Sequence, residues 1–128
     1  MQNLKQQKFS FRKRLYSFKF AFQGLKILLK EEPNARIQCV AAIGVFIAGF
    51  VFKISATEWI AIVFAAGLVT ALEALNSSVE NLADFISPGK NHQIKKVKDL
   101  SAAGVLISAI AALIVGLIIF VPKIALLF

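Results

Sequence analysis

One stripe of acidic and amide side chains interrupts an otherwise apolar part of this chain. Between residues 73 and 84 the sequence reads EALNSSVENLAD, with polar residues recurring at three- and four-residue spacing. On a helix that turns by about 100° per residue, these residues share one face within an arc of roughly 100°: Glu73, Asn76, Ser77, Glu80 and Asp84. Carboxylates aligned in this way can bind Mg²⁺ or take a proton from an attacking hydroxyl. We call this pattern the polar stripe; together with the basic residues that follow at 90–98, it is consistent with phosphoryl transfer.

Bonding between helices is a simpler explanation of the polar stripe. Interhelical hydrogen bonds would account for the amide and hydroxyl groups. They account poorly for three acids, since a carboxylate at bilayer depth costs about 2.5–3.5 kcal/mol on insertion scales. A small proton-coupled transporter with Glu73 as its relay acid is an alternative of another functional class. It explains one buried carboxylate but not the aligned Asn76, Glu80 and Asp84, so we favour a catalytic site.

The composition indicates which elements must position these groups. Hydrophobic residues make up 58% of the 128 residues, above the roughly 45–50% of soluble domains. A chain this short buries only a modest share of its surface, so the surplus apolar surface must face lipid. Apolar segments at about residues 37–53, 58–86 and 99–121 predict three transmembrane helices. The expected fold is therefore an all-α integral membrane protein, with residues 1–128 forming one membrane domain.

A further helix is predicted at about residues 9–30. Its apolar residues recur at helical spacing, with polar and mostly basic residues on the opposite face, as in helices that lie along a membrane surface. A soluble core helix is the alternative. The apolar face is formed by Leu15, Phe18, Phe22, Leu25 and Leu29, and the polar face by Lys19, Gln23, Lys26 and Lys30. Pro33 lacks a backbone donor and disfavours helix at the preceding residue, so the helix should end near Glu31.

The charges predict the orientation. The net charge is +8, and the basic residues cluster at 5–36 and 90–98, beside apolar segments. Such clusters suit loops held against anionic headgroups on the cytoplasmic side, so the basic residues are not interpreted as a nucleic-acid site. We expect a turn at residues 87–91 and a basic loop up to Lys98. The protein should be a multi-pass protein of the inner membrane with a cytoplasmic N-terminus.

The polar stripe resembles the signature of the prokaryotic diacylglycerol kinase family. The match includes Glu73-Ala-Leu-Asn-Ser-Ser-Val-Glu80 with Asp84 four residues further on. The resemblance extends to residues 21–26 and to Glu32 and Arg36 before the first span. It continues at residues 98–105, at the opening of the third span, and so covers nearly the whole chain. It implies a homotrimer of three-span subunits, Mg²⁺-ATP as phosphoryl donor and a lipid alcohol as acceptor.

The resemblance also implies roles for individual residues. Glu73 corresponds to the general base on the lipid hydroxyl, and Glu32 and Glu80 correspond to ligands of the Mg²⁺ that bridges the ATP phosphates. The positions implied around the nucleotide and the catalytic centre are Asn76, Asp84, Lys98 and Asp99, of which Asn76 and Asp99 are also expected to be catalytic.

Several assignments stay open at this level. Members of the family phosphorylate diacylglycerol or undecaprenol, and residues 32–37 and 116–120 resemble the undecaprenol branch more. For Lys13 and Arg14, phosphate binding and simple attraction to headgroups are both consistent with the sequence. His92 is expected to be exposed in a polar loop. Gln38 departs from the family pattern, since similar relatives most often have His there.

Overall fold

The computed structural model describes residues 9–128, and in that range it consists of four α-helices. These are α1 (Phe11–Glu31), α2 (Pro33–Val51), α3 (Ala56–Ile86) and α4 (His92–Ala125). The start of the basic N-terminal cluster, at Lys5 and Lys8, lies outside the described residues.

The helices α2, α3 and α4 are each long and apolar enough to cross a membrane. Large apolar side chains on them remain exposed, for example Phe64 and Ile118, and such surface suits hydrocarbon chains. The prediction of an all-α membrane fold with three spanning helices is confirmed.

The helix boundaries follow local capping signals. The backbone is extended at Glu32, between α1 and α2, and Pro33 occupies the first turn of α2, where its missing N–H costs nothing. Ser55 and Glu58 form a reciprocal capping box at the start of α3. Both α2 and α3 therefore begin before the apolar segments predicted from about residues 37 and 58.

The expected basic loop up to Lys98 is wrong. The Oδ1 atom of Asn91 accepts hydrogen bonds from the backbone N–H groups of Gln93 and Ile94 at 2.9 and 3.1 Å. This cap starts α4 at His92, so most of the basic stretch forms the first turns of the helix and only residues 87–91 remain as a connection. The helix thus begins well before the apolar segment predicted from about residue 99.

The small residues on one face of α4 differ in how closely a neighbouring helix approaches them. The most extensive helix contact in the described chain is between α3 and α4. Ser108 is buried, and its hydroxyl donates to the carbonyl of Val105 at 2.8 Å. A Cβ added at Gly104 or Gly116 would meet no atom within 4 Å, and Ala112 and Gly116 line a groove between α2, α3 and α4. Within residues 9–128, the close packing typical of a row of small residues is therefore seen at Ser108 and not along the whole row.

At the end of the bundle where α2 ends and α3 begins, an aromatic contact holds these two helices together. Gly49 of α2 is buried beneath the indole of Trp59, and the ring of Phe46 stacks on the same indole. The Nζ of Lys123 on α4 donates to the Oε2 of Glu58 on α3 at 2.7 Å. These contacts align the three helices at this end and thereby set which residues meet at the other.

At the opposite end, α3 extends past the beginning of α2. Glu32, just before α2, lies beside Ser77 of α3. The part of α3 after Ser77 continues for about 13 Å at 1.5 Å per residue. Together with the first turns of α4 it forms a projection beyond α2, and this projection carries the charged residues described below.

The first helix, α1, contacts α2 and α3 mainly through its C-terminal end. Leu28 is its buried residue, and Arg36 donates to the carbonyls of Leu29 and Lys30 at 3.3 and 2.9 Å. The predicted apolar face is largely exposed, as Phe18 and Phe22 show. Within residues 9–128 most of this face is left uncovered by the other helices, as expected for a face that contacts lipid.

Candidate active site

The inner part of the polar stripe faces α2. Glu73 is only 4% exposed, and its Oε1 accepts a hydrogen bond from the Nε2 of Gln38 at 3.0 Å. One turn further, the hydroxyl of buried Ser77 donates to the Oε1 of Glu32 at 3.1 Å. Two carboxylates are thus held between α2 and α3 by uncharged donors.

Asn76 and Glu80 continue the stripe toward the projecting end of α3. The Nδ2 of Asn76 donates to the Oε1 of Glu80 at 3.3 Å. The Oδ1 of Asn76 is buried and has no hydrogen-bond partner among residues 9–128. Asn76 therefore orients the carboxylate of Glu80 and keeps one acceptor for a further donor.

The last turns of α3, the connection at residues 87–91 and the first turns of α4 border an open cavity of about 890 Å³, which we call the charged pocket. Its side chains include two ion pairs: Lys98 with Asp84 at 2.7 Å, and Lys95 with Asp99 at 2.6 Å. The other polar groups of its wall include Glu80, Lys90, Asn91 and His92. Acidic and basic groups both line this space, which suits a ligand that carries both phosphates and a cation.

The predicted site residues therefore fall into two connected groups. Glu80, Asp84, Lys98 and Asp99 line the charged pocket. The others, Glu73, Asn76 and Glu32, lie deeper, around the contact between α2 and α3. Glu80 belongs to both groups, and it lies about 10 Å from Glu73 along the helix axis at 1.5 Å per residue.

The residues expected to hold Mg²⁺ fit a metal that is shared with a ligand. Within the described residues no group of three or more His, Cys, Asp or Glu side chains is placed to hold a metal ion. Glu32 and Glu80 each use one oxygen in a hydrogen bond within residues 9–128, which leaves the second oxygen for a metal. Mg²⁺ is usually bound by one or two carboxylates together with substrate phosphates and water. The two acids suit that arrangement and do not suit an all-protein metal cage.

An apolar groove borders the buried carboxylate. It has a volume of about 410 Å³ and lies between α2, α3 and α4. Its wall is almost entirely apolar and includes Ala42, Val69, Ala112 and Gly116. Gln38 also lines this apolar groove, so the partner of Glu73 stands where apolar surface meets the polar stripe.

Several contacts were not identified from the sequence. The capping preference of Asn91 and the helical spacing of Lys95 and Asp99 were available signals for the charged pocket. No pattern in the sequence pairs Gln38 with Glu73. Of the basic residues left open, His92 lines the pocket, whereas the guanidinium of Arg14 lies over the ring of Phe9, at 5.5 Å from its centroid.

Together these features define a class: an α-helical membrane protein in which a buried carboxylate lies between an apolar groove and a pocket of charged residues. A family model described as "Prokaryotic diacylglycerol kinase" matches residues 19–120. The chain belongs to this family, and its enzyme class is that of the lipid kinases. Family membership favours this class over the proton-coupled transporter.

Characterised relatives support the same class. The chain is 35% identical to the undecaprenol kinase of Bacillus subtilis over 107 residues, which cover 84% of this chain and 87% of the relative. It is 34% identical to the diacylglycerol kinase of Haemophilus influenzae, over 80% of this chain and 84% of the relative. A diacylglycerol kinase of Synechocystis is 31% identical, over 84% of this chain and 62% of the relative.

Proposed function

We propose that this protein transfers the γ-phosphoryl group of ATP to the hydroxyl of a membrane lipid alcohol at the cytoplasmic face of the inner membrane. The observation that carries the proposal is the position of buried Glu73 on the same helix face as Glu80, between the apolar groove and the charged pocket. One face thus offers a base near lipid and charged groups near water. Residues 1–128 act as one membrane kinase domain in this proposal.

The nucleotide binds in the charged pocket. Lys98 and Lys95 supply ammonium groups that can turn from their aspartate partners to phosphate oxygens, while Asn91 and His92 add hydrogen-bonding groups at the rim. In phosphoryl transfer the protein chiefly positions the reactants and neutralises charge. A pocket of mobile cations next to carboxylates meets that requirement.

The acids Glu32 and Glu80 are the residues that would hold Mg²⁺. When bound, the ion neutralises charge on the phosphate oxygens and orients the γ-phosphoryl group. Ser77 keeps Glu32 beside α3, and Asn76 turns the carboxylate of Glu80. These two hydrogen bonds fix the acids before the nucleotide arrives, which reduces the reorganisation needed in the reaction.

Glu73 acts as the general base. It removes the proton of the lipid hydroxyl while the hydroxyl oxygen forms a bond to the γ-phosphorus and the bond between that phosphorus and the bridging oxygen of ADP breaks. The proton passes to water when the phosphorylated lipid leaves. Burial of Glu73 excludes competing water from the attacking position, so hydrolysis of ATP is disfavoured.

Both lipids named by the relatives present a primary hydroxyl, and we propose undecaprenol as the preferred acceptor, in support of cell-wall lipid-carrier metabolism. The support is the likeness of residues 32–37 and 116–120 to the undecaprenol branch. The identities to the undecaprenol and diacylglycerol kinases are similar, so diacylglycerol, which would supply phospholipid synthesis, is the competing acceptor.

The orientation and assembly belong to the same proposal. The charged pocket contains the second basic cluster, and basic residues stay on the cytoplasmic side, where ATP is supplied. The N-terminus is then cytoplasmic as well. A homotrimer is consistent with the broad apolar faces that the spanning helices leave exposed.

A direct assay with a matched substitution tests the proposal. The purified protein in lipid–detergent micelles with Mg²⁺ is given γ-labelled ATP and either undecaprenol or diacylglycerol. We expect label in the lipid, with a higher rate for undecaprenol. Glu73→Gln should lower kcat by about 100-fold or more, the scale of general-base catalysis. Glu31→Gln makes the same chemical change at an exposed neighbouring site and should leave kcat unchanged.

Three results would each count against a part of the proposal. No label in either lipid from a folded wild-type preparation would remove the kinase assignment. Label with the same kcat in Glu73→Gln would keep the kinase but remove Glu73 as its base. A higher rate with diacylglycerol would reverse the choice of acceptor alone.

A further inference from the structure

The carboxylate of Glu73 has one side-chain partner among the described residues, and it comes from another helix. The Nε2 of Gln38 on α2 donates to the Oε1 of Glu73 on α3 at 3.0 Å. The acid is 4% exposed, so little water is available to replace this donor. The direction of the carboxylate in the apolar surroundings therefore depends on Gln38.

The second polar atom of the same amide is unused. The Oε1 of Gln38 is buried and has no hydrogen-bond partner among residues 9–128. A buried acceptor left without a partner costs stability. Replacement by an apolar side chain of similar length would remove that cost but would leave the buried carboxylate of Glu73 without this donor. The reason for an amide here is therefore its contact with Glu73.

We propose that Gln38 is a positioning residue that holds Glu73 in one orientation before and after the general base takes its proton. The inference rests on the proposed kinase function, to which it adds this residue. An amide can hydrogen-bond to the carboxyl group of Glu73 in both of its protonation states. Its NH₂ donates to the carboxylate, and after a half-turn about the terminal torsion, which is broad for amides, its carbonyl oxygen accepts from the carboxylic acid.

The protonation state of Gln38 stays the same throughout the reaction. The proton moves from the lipid hydroxyl to Glu73 and from there to water when the product leaves. Gln38 neither gains nor loses a proton and only exchanges the atom that faces the acid. A side chain with a donor alone would serve one state of Glu73, whereas an amide serves both.

A structural tie between α2 and α3 is the competing role for Gln38. The two helices are also joined at one end by Ser77 and Glu32 and at the other by Gly49 and Trp59. Because these contacts persist without Gln38, loss of its amide should change the rate of phosphoryl transfer more than the stability of the fold. This separation makes the proposal testable.

The test compares three variants by kcat, KM for Mg²⁺-ATP and thermal unfolding. Gln38→Met has similar length but no strong hydrogen-bonding group, and its kcat should fall about tenfold to 100-fold, as expected for a misplaced catalytic group. Its KM for Mg²⁺-ATP should stay within about twofold. Gln38→His supplies a donor and an acceptor nitrogen and should recover most of the rate. Gln23→Met makes the same chemical change at an exposed position of α1, outside the apolar groove and the charged pocket, and should behave as wild type.

A double substitution shows whether Gln38 affects kcat through Glu73 or by a general disturbance of the fold. In the Glu73→Gln background, Gln38→Met should cause no further loss of kcat, because residues that act as a unit are not additive. If the methionine variant does not fold, Gln38→Asn replaces it. This change keeps the amide but shortens its reach by one methylene, and it should show the same loss of kcat.

Three outcomes would overturn the inference. One is a Gln38→Met enzyme with wild-type kcat. Another is an equal loss of kcat in the presence and absence of Glu73, and the third is a loss that follows thermal unfolding in every variant. If the wild-type protein phosphorylates a lipid alcohol, these outcomes remove only the role of Gln38. If it phosphorylates none, the proposed function fails and this inference with it.

Discussion

Gly49 of α2 lies directly against Trp59 of α3, and replacing it should destabilise the fold. A Cβ added at this position would lie 2.7 and 2.9 Å from two ring atoms of Trp59 and 3.1 Å from the Cδ1 of Ile54. The first two distances are far below van der Waals contact, and the indole also stacks on the ring of Phe46. The ring must therefore move, or the helices must separate.

Comparison with a second glycine on α2, Gly44, gives the expected size of the loss in unfolding free energy. Overpacking of this kind costs about 1–3 kcal/mol, whereas glycine to alanine within a helix gains about 0.5–1 kcal/mol. Gly44 has nothing within 4 Å of an added Cβ, so Gly44→Ala keeps the gain and avoids the clash. The difference in unfolding free energy between Gly49→Ala and Gly44→Ala should therefore be about 1–3 kcal/mol, with Gly49→Ala the less stable.

Trp59 is the only tryptophan of the chain, so its fluorescence reports on this contact. Unfolding of both alanine variants would be followed in detergent micelles by fluorescence and by circular dichroism. A Gly49→Ala protein as stable as Gly44→Ala would refute the packing argument. Adding Trp59→Phe to Gly49→Ala should restore part of the lost stability, because the smaller ring lacks the two clashing atoms.

Three further predictions concern the site and the caps. Ser77→Ala should raise the Mg²⁺ concentration needed for half-maximal kinase activity severalfold, because Glu32 loses the donor that keeps it beside α3; an unchanged magnesium titration would contradict this. Lys98→Met should raise KM for ATP more than it lowers kcat, whereas Asp84→Asn, which frees the lysine, should have a smaller effect on KM; kinetics with varied ATP distinguish the two. Ser55→Ala should lower the free energy of unfolding by about 1 kcal/mol through loss of an N-cap, and Ser55→Gly by only a few tenths, as measured by thermal unfolding.

Helical periodicity was sufficient to predict the polar stripe and the three spanning helices. The positions of Glu73, Ser77 and Glu80 on one face depend only on rotation per residue, and the spans depend only on the length of apolar segments. The contacts between helices could not be predicted from periodicity. Gln38 meets Glu73, and Ser77 meets Glu32, because the packing at the other end of the bundle sets the axial position of α2, and no local pattern encodes this position.

The start of α4 was mispredicted for a different reason. The density of lysines was interpreted as a loop, although lysine is a good helix former and Asn91 is a favoured N-cap residue. The lysine density favoured a loop, whereas Asn91 favoured the start of a helix. The structure follows the cap, and α4 begins at His92. As a result, Lys95 and Lys98 point from a rigid helix into the charged pocket instead of belonging to a loose connection.

The extension of α3 beyond the start of α2 has a consequence for how the two substrates reach the enzyme. In the proposed function, a lipid alcohol reaches the apolar groove by diffusion in two dimensions among hydrocarbon chains, whereas ATP reaches the charged pocket on the projecting helix ends by diffusion in three. Under the proposed function, the velocity should follow the mole fraction of lipid alcohol in the membrane and not its amount per volume of solution. Adding inert phospholipid at constant total alcohol should slow the reaction, and diluting the vesicles at constant ATP should leave the turnover of each enzyme unchanged.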